Sequence, residues 1–156
     1  MSTTLPSPKF RDGAKRLLAG SLQTHTIAVA AESIPVQWGD FFALDVPEIH
    51  TASVTYGVVI RADDETMDYM CAIEVPSFDG VRSPHRETLP AARYVVFTID
   101  GLEHIGEQWS AIYASWLPTS GYNLAKSPAF ERYDDRYDPE SETGPIELWV
   151  PVEPVS

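Results

Sequence analysis

The sequence predicts an α+β fold, an antiparallel sheet with two main helices arranged as a tandem βαββ repeat with a cleft near its pseudo-twofold axis. Three observations carry that expectation. Two stretches place apolar residues at helical spacing, and each follows a strand-like run. Each is followed in turn by segments in which apolar residues alternate. The order strand, helix, strand, strand therefore runs twice, over about 15–76 and about 91–152, within one domain spanning 1–156.

The first half opens with Lys15-Arg-Leu-Leu-Ala-Gly20, a strand continuing toward Ile27. Next, Ile34, Trp38, Phe41 and Phe42 fall on one stripe of a helix over about 32–45, with Ser33 as the expected N-cap and Pro35 in the first turn. Val54, Tyr56, Val58 and Ile60 then share one strand face, as do Met67, Tyr69, Cys71, Ile73 and Val75 in the next strand. Asp63-Asp-Glu-Thr66 turns between them, and Pro76 ends the hairpin. Residues 77–90 are polar and rich in turn formers and read as a link. In the second half, Arg93–Ile99 is a strand. Ile105, Trp109, Ile112, Tyr113 and Trp116 mark a helix over about 103–117, closed by Pro118 and Gly121. Ala129–Tyr133 is a short strand, 134–145 an acidic loop, and Ile146–Val152 the last strand.

The chain has 11 Lys+Arg against 23 Asp+Glu, a formal net charge of −12, and four of the basic residues lie in the first sixteen positions. Residues 17–156 keep 7 basic side chains against 22 acidic ones. Affinity for phosphate backbones and anionic lipid comes from clustered positive charge, so direct nucleic-acid and membrane binding are not expected. The field attracts cations or basic protein surfaces instead. A hydrophobic content of 44% with 11% aromatics argues for a folded core, not an acidic tail. The single cysteine, Cys71, allows no internal disulfide and no cysteine-based zinc site, and its apolar surroundings suit a small core residue. The N-terminus lacks the apolar segment of a secretory signal, and no stretch reaches membrane-spanning length, so the expected location is the cytoplasm.

Signatures of catalysis are sparse. There is no Gly-x-Ser-x-Gly elbow, no phosphate-cradling glycine loop and no His-Glu-x-x-His motif. His25, His50, His85 and His104 have no metal-ligand spacing. No cofactor, metal or assigned catalytic residue is expected.

Several segments resemble the GyrI-like (gyrase-inhibitor-like) effector-binding domains. In the first half these are Tyr56-Gly57-Val58, Met67-Asp68-Tyr69-Met70 and Ile73-Glu74-Val75. In the second they are Tyr94-Val95-Val96-Phe97 and Trp109-x-x-Ile112-Tyr113-x-x-Trp116-Leu117-Pro118-x-Ser120-Gly121-Tyr122. Pro128-Ala129-Phe130-Glu131-Arg132-Tyr133-Asp134 and Ile146-Glu147-Leu148-Trp149-Val150-Pro151-Val152 complete the set. The resemblance implies a duplicated βαββ fold of the SHS2-like kind. Many such domains serve AraC- or MerR-type transcription regulators and bind lipophilic, often cationic, compounds. Others stand alone, and some of those inhibit DNA gyrase or hydrolyse reactive cyclopropane toxins.

The resemblance also implies an acidic residue facing the ligand's positive charge, which falls here on Glu131. The residues support it independently. A carboxylate between Phe130 and Tyr133 on a short strand is costly to desolvate unless something pairs with it, and surrounding rings hold a flat cation by dispersion and cation–π attraction. The expected walls are Tyr56, Tyr69, Trp109, Tyr113 and Trp149, with Trp38 and Trp116 left to the core. Glu74 and Glu147 occupy matching places in the two halves and suit a solvated strand face. The expectation is a stand-alone small-molecule-binding protein for lipophilic cations. Two other readings stay open. One is hydrolysis in the same pocket, with Glu131 as acid or base and Tyr113 as donor. The other is inhibition of DNA gyrase as a protein partner, with the acidic loop as contact surface.

Overall fold

Nine strands and three helices follow one another through residues 5–155, which a computed structural model describes. β1 (Lys9–Gly13) and β2 (Arg16–Thr26) lead through a 3₁₀ turn into α1 (Ala30–Phe42), then α2 (Pro47–Thr51), β3 (Thr55–Ala62) and β4 (Thr66–Glu74). β5 (His85–Leu89) and β6 (Ala92–Asp100) precede α3 (Ile105–Ala111), which continues as a π-helical turn (Ile112–Trp116) and a 3₁₀ turn (Leu117–Thr119). β7 (Tyr122–Leu124), β8 (Ala129–Tyr133) and β9 (Pro145–Pro154) end the chain. The sheet order is β1-β6-β9-β8-β3-β4-β2-β5, with β7 paired to β9. Among the described residues all pairings of neighbouring strands are antiparallel, and the order reads symmetrically outward from the β3–β8 junction.

This order forces the sheet to curl. Only residues 14–15 separate β1 from β2, a reach of about 10 Å. In a flat sheet those strands would stand about 29 Å apart, six spacings of roughly 4.8 Å. The sheet therefore rolls so that its ends approach, and its inner face closes on itself. Leu18, Tyr56, Met70, Tyr94, Phe130 and Trp149 fill the inside of the roll. The Arg16 guanidinium stands 5.3 Å from the Phe130 ring centre and 4.9 Å from that of Trp149. The outer face carries the helices. α1 packs Phe41 and Trp38 against Tyr69, Cys71 and Ile73, while Ile112 and Trp109 pack against Phe97, Leu148 and Val150.

The structure differs from the sequence reading in several places. β5 forms within the expected link 77–90 because His85–Leu89 can pair along the free edge of β2. β1, α2 and β7 also went unrecognised, being only 5, 5 and 3 residues long. Ser33 is not the N-cap of α1. The helix begins at Ala30, and the Ser33 hydroxyl is bonded to His25 Nδ1 at 2.6 Å. Pro35 accordingly lies inside the helix. Among the described residues, no helix is long and apolar enough to cross a membrane.

Candidate functional site

Glu131 lies in the middle of β8, and its side chain is directed to the helix-covered face by strand alternation, with Phe130 and Arg132 on the other side. The carboxylate is buried and holds three uncharged donors. The hydroxyls of Tyr69 on β4 and Tyr133 on β8 each donate to Oε1 at 2.8 Å, and the Trp109 indole N–H of α3 donates to Oε2 at 2.9 Å. Burial pushes the Glu131 carboxyl above its usual range, and the bonds from Trp109, Tyr69 and Tyr133 pull the other way. The phenols of Tyr69 and Tyr133 are raised well above theirs, first by burial and then by the adjacent carboxylate. They remain protonated donors at neutral pH.

β3 makes room for this cluster. Gly57 pairs with Glu131 on one side and Cys71 on the other. A Cβ at Gly57 would overlap the Tyr69 hydroxyl and come within 2.7 Å of Glu131 Oε1. The site thus depends on the absence of one side chain.

Two indoles converge from the two helices. Trp38 of α1 donates from Nε1 to the Tyr69 hydroxyl at 3.3 Å and meets the Tyr133 ring edge-on at 5.7 Å. Each indole stacks on a ring one helical turn further on. The Trp38–Phe42 centroids are 5.7 Å apart at 27°, and the Trp109–Tyr113 centroids 6.0 Å apart at 13°. Phe42 and Tyr113 are 47% and 38% exposed, so each stack leads from the buried carboxylate toward solvent.

Of the six residues singled out from sequence, Glu131, Tyr69 and Trp109 meet directly, and Tyr113 joins them through its stack on Trp109. Tyr113 makes no hydrogen bond with Glu131. The donor place assigned to it is taken by Tyr69 and Tyr133. Tyr56 and Trp149 belong elsewhere. Gly57, not Tyr56, faces the cluster, so Tyr56 points into the roll, as Trp149 does beside Phe130. Their polar tips reach the two glutamates expected on solvated faces. The Tyr56 hydroxyl donates to Glu74 Oε1 at 3.1 Å, and Trp149 Nε1 donates to Glu147 Oε1 at 3.0 Å.

Trp38, packed against the core as expected, also joins the Glu131 cluster, as do Tyr133 and Gly57, none of which was singled out for it from sequence. The parity of β8 offered a signal for Tyr133, which lies two residues from Glu131. Trp38 could be weighed only as part of a helical stripe, which packing alone explains. Cys71 is buried near the cluster. Desolvation, and then the charge of Glu131, raise its thiol, so it stays protonated. In the acidic loop, the side-chain bonds of Arg136 hold the Asp134 carboxyl down to about 2, and Arg132 lies 3.0 Å from the same carboxylate. No cluster of potential metal ligands occurs among the described residues.

Comparison with known proteins places the chain in a group. A curated DNA gyrase inhibitor from Erwinia billingiae (strain Eb661) is 31% identical over 79 residues, covering 47% of this chain and about half (48%) of that protein. The structure of SAV2435 bound to tetraphenylphosphonium superposes with a TM-score of 0.73 at 22% identity, covering 95% of this chain and 94% of the other. The EcmrR C-terminal domain gives 0.65 at 16% identity, covering 96% and 98%. At these identities the superpositions show a shared fold. The model of the GyrI-like small molecule binding domain matches residues 7–153. The chain belongs to the GyrI-like small-molecule-binding domain family.

Proposed function

We propose that this chain binds a lipophilic organic cation, with Glu131 as the counter-charge and Trp38, Phe42, Trp109 and Tyr113 as its aromatic walls. The observation that carries this reading is the composition of the Glu131 shell. A buried carboxylate whose three side-chain partners are all uncharged is an expensive arrangement, and a cation supplies the missing charge. The tetraphenylphosphonium in the SAV2435 structure is a ligand of this chemistry on the same fold. The entry route would run between the two stacked pairs. Trp109 would yield its bond to Oε2, giving up a charge-assisted contact worth about 1.5–3 kcal/mol. The cation and the rings around it would have to return more than that. Effector sensing for a separate regulator and sequestration are both compatible uses.

Tetraphenylphosphonium should quench tryptophan fluorescence on binding. Glu131→Gln keeps the shape and removes the charge, so affinity should fall about ten- to a hundredfold. Glu140→Gln in the acidic loop is the control and should change affinity less than about twofold, since exposed charge is screened. Equal losses in both variants would reduce the attraction to the diffuse field of an acidic protein.

Two further readings have their own support. The raised carboxyl of Glu131 beside two phenols suits general-acid hydrolysis, which consumption of the ligand in a mass spectrum would reveal. Inhibition of DNA gyrase is favoured by the Erwinia relative and would appear as blocked supercoiling with no small molecule present.

A further inference from the structure

α1 grips Tyr69 at both ends. Trp38 donates to its hydroxyl at 3.3 Å, while the neighbouring Gln37 donates from Nε2 to its backbone carbonyl at 2.9 Å and to Ser21 O at 3.1 Å. Gln37 is buried, and those two carbonyls fix its amide orientation, since both need a donor. Its Oε1 is thereby turned to His25 Nε2, 2.6 Å away, which must carry a proton. His25 is also buried, and its other nitrogen is held by the Ser33 hydroxyl at 2.6 Å. A polar chain Ser33–His25–Gln37 thus runs under α1 and ends on the strand that carries Tyr69. With Trp38 donating to the Tyr69 oxygen, the phenolic proton is left for Glu131.

We propose that Gln37, locked by His25, is a positioning residue that aims the Tyr69 hydroxyl at Glu131 and so sets how readily that carboxylate holds its charge. This builds on the reading of Glu131 as the functional group of the site. Neither His25 nor Gln37 touches Glu131. Their effect passes through the placement of β4 against α1. The groups facing Glu131 are Tyr69 and Cys71 of β4, Tyr133 of β8, Tyr137 of the following loop and the uncharged Trp109 of α3, none of them basic. A lost or misaimed hydroxyl therefore removes a donor to the ionised form without any compensating positive charge, and the carboxyl midpoint should rise.

The test is a ¹³C NMR titration of the Glu131 carboxyl in the full chain without ligand, so it remains readable even where tetraphenylphosphonium fails to bind. Tyr69→Phe should raise the midpoint. His25→Leu should raise it by at least half as much, and the double variant should add nothing to Tyr69→Phe alone. His25→Gln keeps a donor near the Nε2 position and should stay near wild type. Should His25→Leu not fold, Ser33→Ala unties the far end of the chain and should move the midpoint in the same direction. An unmoved midpoint in a folded His25→Leu or Ser33→Ala protein overturns the proposal. So does a His25→Leu effect that persists in the Tyr69→Phe background, which marks a general structural role. A His25→Gln shift as large as that of His25→Leu also overturns it, because a donor to Gln37 would then not be what matters.

Discussion

Gly57 stands directly across the β3–β8 ladder from Glu131, and the space left by its missing side chain holds the bond between Glu131 and Tyr69. The smallest residue on the sheet thus faces its most deeply buried carboxylate. Glycine is needed here for close approach. The backbone is ordinary strand, and the strand itself would form with alanine.

Gly57→Ala should therefore be harmful despite the better strand propensity of alanine. The new methyl displaces the Tyr69 hydroxyl or Glu131, leaving a buried carboxylate short of a donor at a cost of about 1–3 kcal/mol. Chemical denaturation should show a loss of this size, and tetraphenylphosphonium affinity should fall with it. A variant as stable as wild type that binds equally well would show that the cluster tolerates crowding.

The two helices, the central hairpin, β8 and β9 were legible because alternation and helical spacing report which residues are apolar and how often. Which face of the rolled sheet a residue occupies was harder to read. Both faces are buried, one under helices and one inside the roll, so aromatic residues occur on both. Tyr56 and Trp149 looked like pocket walls for that reason. Their true place follows only from the register of β3 and β9 against β8, which sets Gly57 opposite Glu131 and Trp149 opposite Phe130. β5 and α2 were illegible for another reason. Both are short, and both exist only because a neighbouring edge or face was left to cover. The expectation for Glu131 came from the resemblance, while the shell around it became visible only when β4, β8, α1 and α3 were brought together.

Substitutions on the two faces should separate stability from binding. Trp149→Ala opens the inside of the roll and should cost about 3–5 kcal/mol of stability, with the tetraphenylphosphonium affinity of the remaining folded protein within about twofold of wild type. Tyr113 is 38% exposed, and Tyr113→Ala should be milder on stability. It should weaken tetraphenylphosphonium binding about two- to thirtyfold, matching roughly 0.5–2 kcal/mol for one lost cation–π partner, and it leaves the Trp109 bond to Glu131 in place. Denaturation midpoints and fluorescence titrations on the two variants check both. The reverse ranking would put the ligand inside the roll.

Duplex DNA should not be retained by the purified protein at physiological salt. Residues 17–156 hold 7 basic side chains against 22 acidic ones, and phosphate contacts dominate nucleic-acid affinity. Nanomolar retention in a gel shift is the contrary result.

The last expectation concerns pH and folding. Burial raises the Glu131 carboxyl above the 4.5 of an unfolded glutamate. Between 4.5 and the raised value, the folded state holds more of this proton than the unfolded state does, so stability attributable to Glu131 falls as pH rises through that window. Below 4.5 the penalty is absent, and above the folded value it is complete. Glu131→Gln cannot ionise and escapes this term. Its amide nitrogen, however, faces either the Trp109 N–H or the tyrosine hydroxyls, a donor mismatch that should cost about the same at every pH. The useful quantity is therefore the slope of the difference, not its sign at one pH. Subtracting wild-type unfolding free energies from those of Glu131→Gln should give a curve that rises from acid toward neutral pH and then levels. Each unit by which the carboxyl is raised contributes about 1.4 kcal/mol to that rise. Urea titrations at several pH values from about 4 to 8 would measure it. A difference that fell with pH would mean that the three donors outweigh burial, and that Glu131 is held as a stable anion with no need of a cation.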